Sequence, residues 1–310
     1  MKGTVVKNTG SWYEVKGEDG ILVPCKIKGK FRLQGIRSTN PIAVGDHVEF
    51  EKNKEGTAFI CQIANRRNYI IRKASNLSRQ SHILAANVDL ALLVVTLHHP
   101  ETSTTFIDRF LASAEAYRIP VTLLFNKADL FTDTDRAETE ALADIYRAMD
   151  YPCLIISVKE RKGLETIPTM LQGKTTLLAG HSGVGKSALL NYLIPGANVR
   201  TAPISEAHDT GMHTTTFSEL FELPNGGSLI DIPGVKGFGT FDLERTEVSH
   251  YFRDIFRTSK NCRYSDCTHT DEPGCAVCQA VEQHLIAPSR YRSYLSMLGD
   301  KDESKYREKY

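Results

Sequence analysis

Gly180, His181, Ser182, Gly183, Val184, Gly185, Lys186, Ser187 and Ala188 follow one another with the spacing G-x-x-x-x-G-K-S, the pattern of a phosphate cradle. Its glycines let the backbone curl so that successive N–H groups point at bound phosphates, Lys186 reaches the outer phosphate oxygens, and the Ser187 hydroxyl joins a Mg2+ shell. An apolar run at 175–179 precedes the segment and an amphipathic run at 186–193 follows it. These are the strand and helix that such a loop needs on either side, and a chance glycine-rich turn would not arrive with both.

A phosphate cradle does not choose between adenine and guanine. Asn126, Lys127, Ala128 and Asp129 bear on that choice, because they end an apolar run and an aspartate there accepts two hydrogen bonds from guanine where adenine has no matching donors. Ser157, Val158 and Lys159 end the next apolar run and can complete the base pocket. Asp231, followed by Ile-Pro-Gly234, closes the run at 228–230; its carboxylate suits Mg2+ held through water, with the Gly234 N–H sensing the terminal phosphate. Upstream, 210–216 reads Thr-Gly-Met-His-Thr-Thr-Thr, from which Thr215 is the second candidate for the metal shell and His213 a candidate for orienting water. Val235 stands where many nucleotide hydrolases of this type carry a glutamine, so slow intrinsic hydrolysis is expected. His213, Thr215 and Asp231 form the candidate catalytic set. An ATP-using P-loop protein leaves Asn126 to Asp129 unexplained, and a non-catalytic RNA-binding switch remains open through Val235.

Four of the seven cysteines fall between Cys262 and Cys278. Cys262, Cys267, His269 and Cys275 supply four soft or borderline ligands within fourteen residues, the number a closed tetrahedral Zn2+ site requires. Cys278 competes for the fourth position. The segment has too few large apolar residues to order itself without a metal, which argues against four structural thiols.

Those residues need frames to hold them. Residues 88–97, 121–126, 153–157, 175–179, 217–223 and 228–232 are strand candidates, with helices expected at 104–117 and 133–149 between them. Strands alternating with helices imply a mainly parallel α/β sheet. Residues 1–70 instead show short alternating stretches separated by glycine, asparagine and charged residues, the spacing of a small all-β barrel. That segment carries 12 lysines and arginines against 7 acidic residues, and residues 26–32 place four cations around one phenylalanine, a composition suited to RNA or to an ordinary solvated hairpin tip. Beyond residue 240 the apolar runs stop and helices are expected near 252–256, 276–285 and 290–298, with 301–310 frayed. The chain thus divides into 1–70, 71–240 and 241–310. Its 310 residues contain no secretory leader pattern and no apolar run of bilayer length, so a cytoplasmic, membrane-free protein is expected; a monomer is expected as well.

The base-reading residues precede the phosphate-binding ones, the reverse of the common order. Rotating the sequence restores that order without changing the sheet, provided the original ends lie close together. With the ordered combination of Asn126–Asp129, Gly180–Ser187, the 211–216 segment, Asp231–Gly234 and the Cys-x4-Cys-x-His-x5-Cys cluster, the whole chain resembles the circularly permuted GTPases of small-ribosomal-subunit biogenesis. The resemblance implies an N-terminal OB-fold, a central GTPase domain and a C-terminal zinc domain. It further implies binding of GTP and GDP, contact with the 30S subunit and its rRNA, GTP hydrolysis stimulated by the subunit, and a catalytic role for His213. Met212 departs from the basic residue expected in many relatives.

Overall fold

The computed structural model describes residues 1–10, 12–27, 41–53, 57–73, 81–197, 199, 218–232 and 245–306. Period-two burial builds the first unit: β1 (Lys2–Asn8), β2 (Tyr13–Gly17), β3 (Leu22–Ile27), β4 (His47–Lys52) and β5 (Ala58–Ile63) turn Val5, Tyr13, Val15, Val23, Cys25, Val48, Phe50 and Ile60 onto one core. They pair in the order β1-β2-β3-β5-β4, and β4 returns to β1, closing an OB-fold barrel. Closure removes most of the exposed edge. A register shift between Val5 and Lys7 lets β1 change partners, pairing with β4 up to Thr4 and with the neighbouring domain at Lys7. Bulges re-aim strands in this way.

The second unit is a mainly parallel sheet. β8 (Leu90–Val95) and β9 (Val121–Phe125) are buried at every position, as strands covered on both faces must be. With β10 (Cys153–Ile155), β11 (Thr175–Ala179), β12 (Glu219–Glu222) and β13 (Ser228–Asp231) they run in the order β10-β9-β8-β11-β13-β12, with β12 alone antiparallel. The flanking helices are α1 (Thr104–Ala116), α2 (Asp133–Arg147), α3 (Ile167–Leu171) and α4 (Lys186–Leu193). Ser103 caps α1, and Thr132 and Asp135 form a capping box at α2, satisfying backbone N–H groups that a helix start otherwise leaves unpaired.

The strand expected at 153–157 is shorter because Ser157 exchanges backbone hydrogen bonds with Lys162 instead of extending the ladder. An antiparallel hairpin of β6 (Tyr69–Lys73) and β7 (Ser81–Ala86) joins the two units and was absent from the pattern-based expectation.

A 3-10 turn at Arg245–Tyr251, α5 (Arg253–Ser259), α6 (Ala276–Glu282) and α7 (Pro288–Tyr306) form the third, helical unit. Helix α7 extends well beyond the expected 290–298 into the charged tail. Val248, Phe252, Ile255, Val277, Tyr294 and Leu298 share a core with Ala112 of α1, so this unit packs on the back of the helix that follows β8. No helix among the described residues is long and apolar enough to cross a membrane.

Candidate functional site

The phosphate loop leaves the C-terminal end of β11 and enters α4. Gly180 has φ 143° and a Cβ there would lie 2.4 Å from the Val94 carbonyl oxygen; Gly185 has φ 104° and a Cβ would lie 2.3 Å from Asn126 Nδ2. Both positions therefore exclude a side chain on conformation and on space. Lys186 is 9% exposed and its Nζ donates to the carbonyls of Gly180 at 2.9 Å and His181 at 2.8 Å. The ammonium lies folded into the loop. Burial pushes its pKa down, against the attraction of Asp231.

Asn126 acts as a clamp. Its Nδ2 donates to the Val184 carbonyl at 2.8 Å and its Oδ1 accepts from the Val158 N–H at 3.2 Å, tying the phosphate loop to the loop after β10. Lys127 adopts a left-handed conformation and donates to the His99 carbonyl. Asp129 faces the same edge: Ser157 Oγ donates to its Oδ1 at 2.6 Å, and Lys159 Nζ lies 3.8 Å from its Oδ2. Ala128 opens a 3-10 turn over Ala128–Leu130 and donates its N–H to the Ile156 carbonyl at 3.1 Å. The carboxyl ends of β8, β9, β10, β11 and β13 thus meet at one edge, where open α/β sheets take their ligands.

Asp231, the last residue of β13, is 3% exposed, and its Oδ1 finds no hydrogen-bond partner among the described residues. Burial pushes its pKa up to about 6, Lys186 opposing the rise and Glu219 adding to it. An orphaned, buried carboxylate oxygen beside a phosphate loop fits water-mediated coordination of a divalent cation. Ser187, on the first turn of α4, is half-buried. His213, Thr215, Gly234 and Val235 lie outside the described residues, as does most of the 26–32 loop.

Two neighbours of this edge carried no sequence signal. The 98–100 turn supplies the carbonyl that receives Lys127, and Pro100 lies beside Gly183, 3.4 Å from where a Cβ would stand. Phe106 of α1 packs its ring 3.8 Å from the His181 ring. Neither belongs to a spaced motif.

The ligand atoms of Cys262, Cys267, His269 and Cys275 all lie within 4.8 Å of one another. Cys262 Sγ and Cys275 Sγ are each 3.6 Å from His269 Nδ1 and 4.0 Å apart, close to the edges of about 3.8 Å that four ligands around Zn2+ would span. Cys278 turns away, its Sγ toward the carbonyls of His269 and Thr270 and the Tyr291 hydroxyl. Burial holds His269 below its ordinary pKa, which favours the neutral, ligating imidazole. Tyr291 and Tyr294 of α7 donate to the carbonyls of His269 and Thr268, each at 2.7 Å. The ligand loop is thereby pinned to α7.

Comparison with known proteins agrees with this geometry. Residues 63–241 match the family model of the RsgA GTPase and residues 2–60 that of the RsgA N-terminal domain. A small ribosomal subunit biogenesis GTPase RsgA from Bacteroides fragilis is 62% identical over 310 residues, covering 100% of each chain, and one from Porphyromonas gingivalis is 56% identical over 315 residues, again covering 100% of each. Among solved structures, YjeQ from Thermotoga maritima superposes with a TM-score of 0.75 at 36% identity, covering 96% of this chain and 97% of that one. YloQ, described as a circularly permuted GTPase, gives 0.70 at 31% identity over 97% and 95%. With the Gly180–Ser187 loop following the Asn126–Asp129 segment in the chain, and with relatives matched over their full length, the chain belongs to the RsgA family of circularly permuted GTPases.

Proposed function

We propose that this protein binds GTP at the carboxyl edge of the β8–β13 sheet and hydrolyses it during late maturation of the 30S ribosomal subunit, with the subunit stimulating hydrolysis and the barrel contacting rRNA. The observation that carries the reading is Asn126. By clamping the phosphate loop to the loop after β10, it sets phosphate recognition and base recognition at a fixed separation. Asp129, oriented by Ser157, accepts from the guanine edge, and the apolar stem of Lys159 covers the base. Release of Lys186 Nζ from the Gly180 and His181 carbonyls to the β- and γ-phosphates accompanies nucleotide entry.

Ser187 and Asp231 would hold Mg2+, with Thr215 joining and Gly234 sensing the terminal phosphate. The metal supplies charge neutralisation at the phosphate oxygens. His213 orients the attacking water. Because Val235 offers no side-chain amide for that purpose, the basal rate is slow and the subunit completes the site. Cys262, Cys267, His269 and Cys275 hold one structural Zn2+, a set whose mutual spacing suits that ion. The protein works as a cytoplasmic monomer.

The test is GTP hydrolysis by the purified protein, alone and with isolated 30S subunits, beside an Asp129→Asn variant given GTP or xanthosine triphosphate. Strong stimulation, with the variant preferring xanthosine triphosphate, supports both parts of the reading. Absent stimulation and an unchanged base preference refute both.

A further inference from the structure

Lys7, Glu219 and Asp231 stand in one row across β1, β12 and β13. Glu219 lies opposite Lys7 on the barrel side and opposite Asp231 on the sheet side. Residues directly opposite in antiparallel pairs share a face with their Cβ atoms about 4.5–5.5 Å apart, so the three side chains are neighbours. Lys7 Nζ is 3.0 Å from Glu219 Oε1, and both side chains are only about one-third exposed, at 33% and 32%. The β1–β2 register shifts between Val5 and Lys7, at the point where β1 passes from its own barrel onto β12. A second barrel lysine, Lys16, pairs with Glu222 farther along the same strand.

The consequence is electrostatic. Glu219 places a carboxylate beside Asp231, whose charge is already unfavourable where it is buried. Lys7 neutralises Glu219 from the other side. We propose that the Lys7–Glu219 pair sets the local charge of the nucleotide site: the barrel lysine cancels a carboxylate that would otherwise oppose binding of the anionic Mg2+–GTP complex next to Asp231. This rests on Asp231 belonging to the metal shell. A nucleoside triphosphate remains anionic with one Mg2+ bound, so an unpaired Glu219 weakens its binding, and docking of the barrel and occupancy of the site become linked in both directions.

The test measures equilibrium binding of a fluorescent, ribose-labelled guanosine 5′-(β,γ-imido)triphosphate with Mg2+ or with EDTA, in the full-length protein. Lys7→Gln should weaken binding in Mg2+ by about two- to fivefold, the range expected for a partly exposed charge pair. Glu219→Gln should bind at least as well as the parent, and Lys7→Gln/Glu219→Gln should return to parental affinity although the ion pair is still missing. That recovery separates a charge effect from a clamp, since a clamp is broken equally in all three variants. A double variant as weak as Lys7→Gln overturns the proposal, as does a Lys7→Gln protein that binds like the parent. Asp231→Asn, run alongside, should lose most of its Mg2+ dependence. If it keeps the parental dependence, the metal-shell reading fails and the row with it; a defective Asp231→Asn beside a normal Lys7→Gln overturns the row alone.

Discussion

Burying Asp231 with one oxygen unpartnered among the described residues makes the nucleotide-free site a poor place for a carboxylate. Its pKa rises from the ordinary 3.8 to about 6. Below pH 3.8 the group is protonated in both folded and unfolded chains and is neutral to stability; as pH rises from 3.8 to the folded value near 6 only the unfolded chain has given up its proton, so stability is lost across that window and the loss is complete above it. Replacing Asp231 by Asn should therefore stabilise the protein without Mg2+ or nucleotide by roughly 2–3 kcal/mol at pH 7 and by almost nothing at pH 3.5. Urea unfolding at the two pH values reads this directly, and an equal effect at both would refute it. Gly185 yields a second expectation. An alanine there places Cβ against Asn126 Nδ2 at a positive φ, so Gly185→Ala should weaken nucleotide binding more than tenfold, the loss expected from about 1.4 kcal/mol or more of loop distortion. Calorimetric titration measures it. The residues of the phosphate loop are legible in the sequence because their chemistry demands fixed spacing. What Asn126 holds is not, because Val184 and Val158 reach it only through strand order.

Elements were legible in proportion to how continuous their apolar patterns are. β8 and β9, buried at every position, stand out as unbroken runs, whereas β6 and β7 mix apolar with charged and polar residues, flank a polar stretch and take their pairing from each other rather than from a central sheet. The end of α7 was missed for a related reason: the residues from 301 to 306 are almost all charged or polar, and no period marks them. The ligand loop from Cys262 to Cys275 is the opposite case, an element with little regular structure that the cysteine spacing announced. Its order depends on the four donors and on the tyrosines of α7 that hold its carbonyls. Stripping the metal with a chelator, or Cys275→Ala, should raise hydrogen exchange across 262–284 while leaving β8, β9 and β11 protected, because structural metal sites hold their local fold together. Metal analysis by mass spectrometry should give one zinc per chain before treatment. Unchanged exchange after full metal loss would rule out a structural role.

At the scale of the whole molecule, the three units meet through charges as well as through cores. The barrel joins the sheet at the Lys7–Glu219 and Lys16–Glu222 pairs, and the helical unit joins it at Arg290. Arg290 is 1% exposed and its guanidinium donates to Asp108 of α1 at 2.8 Å and to both oxygens of Asp254 on α5, at 2.9 and 3.1 Å. The face of Phe252 lies 4.8 Å beneath it, and Tyr146 donates to the same Asp108 oxygen. Two carboxylates hold the guanidinium charged where burial would discharge it. No spacing announces this triad, since its members sit at 108, 254 and 290 and meet only when α7 packs on α1. Arg290→Leu removes the cation that both carboxylates share and strands the fully buried Asp108 and the partly buried Asp254, whose side chains are 0% and 13% exposed, so stability should fall by about 3–5 kcal/mol. Adding Asp108→Asn and Asp254→Asn should recover most of that loss, because the strain lies in the stranded charges rather than in the missing contact. Denaturant unfolding of the single and triple variants decides it: a triple variant no more stable than Arg290→Leu would mean that packing of the guanidinium on Phe252, and not its charge, joins the helical unit to the sheet.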